Sequence, residues 1–238
     1  MTGHEAGSQL RDKHVITPEQ LRSIAFWSHD LDEKEFEQAR RGIVDKAFPE
    51  GSYICHRGDR LDHWTGVADG LIKLGTVSRS GKAVTLAGLR AGGWFGEGTV
   101  LKDEPRQYDL VALRDTRMAL MNRATFFWLF ENSVAFNRFL VKQFNERLGQ
   151  FIALVEYDRM LDAPGRLARN IAWLFNPVLY PGLGMHLEIS QEELGLLCGM
   201  SRQVANKCLK TLESKGMLRV EHGGITVLEL ARLGRYGE

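Results

Sequence analysis

The residues with the clearest chemistry lie in two stretches. The first is GGWFGEGTVLKDEPRQYD, Gly92 to Asp109, which sets Glu97 and Arg106 among glycines and between apolar, strand-like segments. Glycines let a backbone approach a ligand closely, a carboxylate accepts from hydroxyls, and a guanidinium pairs with an anion. Together they suggest a pocket for an anionic, hydroxyl-bearing ligand such as a nucleotide. The second is ISQEELGLLCGMSRQVANKCLKTLESKGML, Ile189 to Leu218. It reads as two helices joined by a tight turn. Ser190 caps the first, with Glu193 at the capping-box position, and Gly199 ends it. Leu194, Leu197 and Cys198 form its inner face. Ser201 caps the second helix, where Ala205, Cys208, Leu209 and Leu212 face inward at helical spacing.

The opposite side of that second helix carries Arg202, Gln203, Asn206, Lys207 and Lys210. An apolar stripe backed by Arg, Gln, Asn and Lys suits a helix that reads the major groove. Arg suits guanine, Gln or Asn suits adenine, and Lys210 and Lys215 suit phosphate. The following MLRVEHGGITVLEL reads as two strands around His222, Gly223 and Gly224, a wing. A metal-dependent enzyme built on β-strands would need clustered ligands such as HxH with a later Glu and His. His56 and His63 lack that spacing, so neither a metal site nor a catalytic constellation is expected. Cys55, Cys198 and Cys208 are odd in number and widely spaced, which gives no disulfide framework and no CxxC pattern. Cys198 and Cys208 fall on inward stripes and read as packing residues.

Other elements must position these groups. The N-terminal residues are polar and read as a tail ending near Pro18. A helical stretch, Pro18 to Ile24, and then FWSHDLDEKEFEQARRG follow, the latter with Ser28 or Asp30 as cap and Gly42 as stop. From Phe48 to about Asn122, glycine turn signals recur at Gly51, Gly58-Asp59, Asp69-Gly70, Ser80-Gly81 and Gly92-Gly93. The short β-prone segments between them, at roughly 10-residue spacing, indicate an all-β sandwich or barrel. Beyond Ala124 the chain is helical up to Asp162. Val141, Phe144, Leu148, Phe151 and Val155 make an a/d seam over two heptads, which predicts pairing with a second copy of the chain. DAPG, Asp162 to Gly165, breaks that helix, with Gly165 permitting a turn.

The bulk numbers agree with an ordinary globular protein. The 238 residues can hold two modest domains, and 31 basic against 30 acidic residues leave a net charge of +1. Any basic surface for nucleic acid must therefore be local. No apolar run approaches a membrane span and no signal peptide is legible, so a cytoplasmic protein without a membrane partner is expected.

PEGSYICHRGDRLDHWTGVADGLIKL, WFGE followed by an arginine, and SRQVANKCLKTLE together resemble the cyclic-AMP receptor protein/fumarate-nitrate regulator (Crp/Fnr) family, from about Leu21 to the C-terminus. The resemblance implies an α+β chain: an N-terminal cyclic-nucleotide-binding-type β-roll (a jelly roll), a long dimerisation helix and a C-terminal winged helix-turn-helix. The expected divisions are a flexible tail 1–18, the roll 19–135, the dimerisation helix 136–162 and the DNA-binding domain 163–238. The implied partners are a second copy, a DNA operator with dyad symmetry and RNA polymerase. Dimer geometry sets the half-sites roughly one helical turn, about 10 bp, apart.

The family's phosphate-binding cassette maps onto Gly96, Glu97, Gly98, Thr99 and Arg106. Its Glu takes a ribose hydroxyl and its Arg the phosphate. Cyclic-AMP-binding members follow that arginine with a small hydroxyl residue and a small apolar one, where this chain has Gln107 and Tyr108. They hold adenine with two adjacent hydroxyl residues on the dimer helix. Counting back from the helix break, Phe151 and Ile152 stand there, and neither can bond a base edge. Cyclic AMP in the familiar mode is therefore not expected. Either another anionic effector fills the pocket, or Glu97 and Arg106 pair across a closed one and DNA binding is effector-independent. Residues 1–40 hold no cysteine, which excludes the family's iron–sulfur sensor. His56 and His63 read as surface histidines and not as haem ligands. On the recognition helix the best-known members present Arg, Glu and Arg. Here the positions are Arg202, Gln203 and Lys207, with Ser201 as cap, so altered half-sites are expected.

Overall fold

The computed structural model describes residues 14–77, 81 and 83–237. The chain opens with a two-residue strand β1 (His14–Val15), helix α1 (Pro18–Ile24), a 3-10 turn (Phe26–Asp30) and α2 (Glu33–Arg41). Thr17 and Asp32 cap the two helices, each in a reciprocal capping box with Gln20 and Glu35. This corrects two expectations. Residues 14–18 are not tail, since His14 and Val15 pair with Asp45 and Val44, while residues 1–13 of the expected tail lie outside the described residues. Ser28 and Asp30 sit in the 3-10 turn, and the cap of α2 is Asp32.

The strands β2 (Ile43–Phe48), β3 (Tyr53–Cys55), β4 (His63–Asp69), β5 (Leu71–Val77), β6 (Ala83–Arg90), β7 (Trp94–Phe95), β8 (Asp109–Ala112) and β9 (Thr116–Asn122) form the roll, with a short helix α3 (Glu97–Lys102) after β7. They make two antiparallel sheets, ordered β1-β2-β9-β4-β7 and β3-β8-β5-β6. The roll thus starts at Ile43, before Phe48; the charged Asp45-Lys46 pair hides β2 in the sequence. Ser80 of one expected turn lies outside the described residues. Residues alternate across each strand. On β4, Val67 joins Ile72, Leu89, Leu110 and Met118 in the core between the sheets. Trp64, on the other face, packs with Trp27, Trp94, Phe126 and Phe136 under the helices.

The helical stretch after the roll is two helices, α4 (Arg123–Asn132) and α5 (Val134–Met160), not one. Ser133 divides them: buried and non-helical, it caps α5 by accepting from the Phe136 N–H. The long helix consequently spans 134–160 where 136–162 was expected. Asp162 caps α6 (Ala163–Trp173) by accepting from Gly165 N–H, so Gly165 lies within the first helical turn and makes no turn of its own.

The C-terminal part adds β10 (His186–Glu188), α7 (Gln191–Leu197), α8 (Arg202–Ser214), β11 (Leu218–Glu221), β12 (Gly224–Val227) and α9 (Leu230–Leu233). Its sheet runs β10-β12-β11. Its core, built on Leu167, Ile171, Leu194, Leu209 and Leu212, also takes in Leu71 of the roll. In return Leu179 and Tyr180 enter the core of the roll. Arg90 completes the seam between the two domains, donating to Leu174 O at 3.1 Å and His186 O at 2.8 Å and stacking over Phe175. Burial lowers its pKa to about 10. Among the described residues no helix is long and apolar enough to cross a membrane.

Candidate functional site

The turn from β7 into α3 carries Gly96 and Glu97, and the loop between α3 and β8 lays Arg106 against Gly96. Gly96 caps α3 with φ of 91°, a conformation glycine adopts without strain. A Cβ there would lie 2.5 Å from both Nη atoms of Arg106, so the guanidinium lies directly on the glycine. Arg106 is only 1% exposed. It donates to Tyr108 Oη and His63 O, both at 3.4 Å, and its Nε has no partner. Glu97, also buried, accepts from Trp64 Nε1 at 3.3 Å. Glu97 and Arg106 therefore do not form the ion pair that one of the two readings of the pocket required. Their hydrogen bonds go instead to neutral groups, Trp64 for Glu97 and Tyr108 Oη and His63 O for Arg106. Gly98 and Gln107 are exposed and Thr99 is half-buried. Gln107 donates to Pro105 O.

Phe151 and Ile152 are 47% and 60% exposed, on the outward side of α5 with Val141, Phe144, Leu148 and Val155. The inward face of α5 holds residues that the seam pattern passes over. Phe136 and Leu140 give way to Gln143, Arg147 and Gln150, spaced four and three apart on one side of the helix. Arg147 donates to Trp94 O at 3.3 Å, two residues before Gly96. Arg147 Nε, Gln143 Nε2 and Gln150 Oε1 are buried without partners. Polar residues at the inward positions of a helix were the available signal.

On the other domain, Ser190 and Ser201 cap α7 and α8 by accepting from Glu193 and Val204 N–H groups. Glu193 does not close the capping box. Its side chain reaches Lys73 of β5 at 2.9 Å, across the domain boundary. Gly199, φ 64°, makes the turn. Ala205, Cys208, Leu209 and Leu212 are buried, while Arg202, Gln203, Lys207 and Lys210 are exposed. Val204, which the inward stripe did not include, is exposed as well. Asn206 is half-buried and donates to Gln191 Oε1 at 2.7 Å. Lys215 is held by Tyr236, with Nζ 2.7 Å from its hydroxyl and over its ring. The wing is the hairpin of β11 and β12, with His222 and Gly223 exposed at its tip.

Residues 45–133 match the cyclic nucleotide-binding domain, and residues 165–236 match the Crp-like helix-turn-helix domain. The chain belongs to the Crp/Fnr family. It is 28% identical over 205 residues to the cyclic AMP receptor protein of Thermus thermophilus, covering 86% of this chain and 93% of the relative. A CRP-like cAMP-activated global transcriptional regulator of Mycobacterium tuberculosis is 25% identical over 195 residues, or 79% and 85% of the two chains. In fold the chain is similar to the c-di-GMP responsive global regulator CLP of Xanthomonas campestris, with TM-score 0.61, 21% identity, and 82% and 99% coverage. FixK2 of Bradyrhizobium japonicum is similar as well, with TM-score 0.62, 17% identity, and 81% and 96% coverage.

As a Crp/Fnr protein the chain is a transcription regulator with a DNA-binding helix-turn-helix. Its relatives are regulators and not enzymes. Cys55 is buried and His56 exposed, on opposite faces of the chain, and His56 stacks on Tyr53.

Proposed function

We propose that this Crp/Fnr protein is a cytoplasmic homodimer that reads a dyad-symmetric operator through α8 and acts on RNA polymerase. A small anion other than cyclic AMP, held in the roll, would control it. The observation that carries the effector reading is Arg106. A guanidinium this deeply buried normally has a carboxylate, since moving a lone charge out of water costs several kcal/mol even after relaxation. Arg106 has two long bonds to neutral oxygens and an orphaned Nε. An anion docking there would supply the missing partner.

Cyclic AMP is the competing effector, because the relatives from Thermus thermophilus and Mycobacterium tuberculosis are named for it. Against it stand Gln107, whose amide is bonded to Pro105 O, and Phe151 and Ile152, which offer no hydrogen bond to a base. Control would pass along α5. Its inner face bears Arg147 on Trp94 O, its outer face bears the dimer seam, and its end leads through Asp162 into α6. A ligand that prefers one arrangement of α5 would shift the spacing of the two α8 helices.

Native mass spectrometry of the protein purified from its own host tests this. We expect a dimer carrying a small anionic ligand that the Arg106→Ala variant lacks. A ligand-free dimer that binds its operator fully, unaffected by added nucleotides, would establish effector-independent binding instead. Retained cyclic AMP would overturn the choice of effector.

A further inference from the structure

Four neighbours seal the Arg106 guanidinium. Gly96 lies against both Nη atoms, and the Phe95 ring lies 5.8 Å from Cζ. Both of these residues are buried, in β7 and the turn that leads into α3. His63 contributes its backbone carbonyl, held in β4 opposite Asn122. Tyr108 differs from the other three. It stands just ahead of β8, outside any strand, and its half-buried side chain packs against the core of the roll. Its hydroxyl accepts from Arg106 Nη1 at 3.4 Å and donates to no group among the described residues. A change of rotamer at Tyr108 would uncover the guanidinium and leave every strand ladder intact. Moving any of the others would disturb β4, β7 or α3.

We propose that Tyr108 is a specificity-determining residue of the anion site: its phenol holds the place of the ligand's oxyanion on Arg106 and is displaced when the ligand docks. This rests on the effector reading above. A neutral oxygen at 3.4 Å is a weak partner for a buried guanidinium, whereas a charged oxygen makes a shorter bond that is roughly twice as strong. The occupant must therefore bring a full oxyanion, because a neutral hydroxyl compound gains nothing by the exchange. The closed phenol also lowers apparent affinity in proportion to the fraction of molecules in which it stands aside. Weakly held anions, inorganic phosphate among them, are thereby kept out of the wild type and admitted once the phenol is gone.

The test reads Arg106 itself. Full-length protein is treated with phenylglyoxal, which modifies accessible guanidinium groups, and labelling is followed arginine by arginine by peptide mass spectrometry. In the wild type Arg106 should label at least about tenfold more slowly than exposed Arg57, because it reacts only when uncovered. Tyr108→Ala should bring the two rates together. Tyr108→Phe keeps the ring and its packing but not the hydroxyl, and should speed Arg106 labelling by roughly fivefold. Arg90, buried in the domain seam, stays slow while the protein is folded. If Tyr108→Ala exposes Arg90, it has unfolded and Tyr108→Phe carries the test. Inorganic phosphate should slow Arg106 labelling in the folded variants and leave Arg57 unchanged.

Two results would overturn the proposal. One is an Arg106 that stays protected in Tyr108→Phe and in any folded Tyr108→Ala. The other is an Arg106 that labels as fast as Arg57 in the wild type. Failure of the underlying reading looks different: Arg106 opens in the variants, yet neither inorganic phosphate nor cyclic AMP slows its labelling.

Discussion

Lys73 of the roll and Glu193 of the helix-turn-helix meet at 2.9 Å, with both side chains more than three-quarters buried. The second Glu193 oxygen is buried without a partner, so the lysine is the only countercharge that the carboxylate touches among the described residues. Lys73→Met should strand that carboxylate and cost about 1–3 kcal/mol in urea unfolding. The charge-reversed double variant Lys73→Glu/Glu193→Lys should regain part of the loss. Additive losses would show that the two residues do not act on one another.

Gly96 and Arg106 give a second prediction. Gly96→Ala forces a side chain into a positive-φ site and sets its methyl 2.5 Å from the guanidinium. The backbone term alone should cost about 1–3 kcal/mol. The clash adds to it only while the guanidinium is there. Gly96→Ala should therefore be less costly in an Arg106→Ala background, and urea titration of the four proteins measures the difference. Equal costs in both backgrounds would mean that the guanidinium moves away freely.

How far the sequence disclosed this arrangement depended on whether the signal was local. Ser190, Ser201, Gly199 and the stripe of Ala205, Cys208, Leu209 and Leu212 all act within a few residues, and α7 and α8 fold as their spacing dictates. Gly96, Glu97 and Arg106 are legible as a group because they lie close together in the chain, on either side of α3. Their partners are not. Trp64 lies 33 residues from Glu97 in the chain, and only the pairing of β4 with β7 brings it there. The Lys73–Glu193 pair spans 120 residues, and nothing local distinguishes Glu193 from a capping-box acid. The short strands β1 and β7 owe their existence to neighbours, β2 and β4, and have no pattern of their own. Ser133 hides a helix break because serine is unremarkable within a helical run until its hydroxyl caps the next helix.

The cysteines should be inert in the folded state. Burial pushes the Cys198 thiol up from 9.0 to about 12 and the Cys55 thiol up from 9.0 to about 11. Only thiolate reacts readily, so iodoacetamide at pH 8 should spare both until a denaturant is added. The same shifts tie stability to pH. Between pH 9 and 12 an unfolded Cys198 has lost the proton that the folded one keeps. Stability that is fully present below pH 9 should thus decline as pH rises toward 12, by up to about 1.4 kcal/mol per pH unit for this thiol. Cys198→Ala should show a shallower decline in urea midpoints over that range.

Arg202 is the exposed first residue of α8, next to the wing. If it forks onto guanine, Arg202→Ala should cost roughly 1–3 kcal/mol per half-site and relax preference at one base pair. Gln203, whose amide suits the adenine edge, should favour adenine at its own position. Mobility-shift titrations on operators substituted base by base measure both effects. Equal affinity of Arg202→Ala and wild type would remove Arg202 from the reading surface.

The outward face of α5 supplies the remaining prediction. Val141, Phe144, Leu148, Phe151 and Val155 are between 40% and 67% exposed, so this chain alone leaves a whole apolar seam in water. Leu148 sits at its centre, 59% exposed. Glutamate is nearly as good a helix former as leucine, and Leu148 is 59% exposed, so Leu148→Glu removes little packing within the chain. If the seam pairs with its copy, two carboxylates would face each other across an apolar interface, a geometry that favours separation. Leu148→Glu should then sediment as a monomer with wild-type helix content by circular dichroism. A monomer engages one half-site and loses the gain from tethering two readers, so operator affinity should fall by roughly 10²- to 10⁴-fold. A variant that sediments and binds like the wild type would show that this seam does not join two copies.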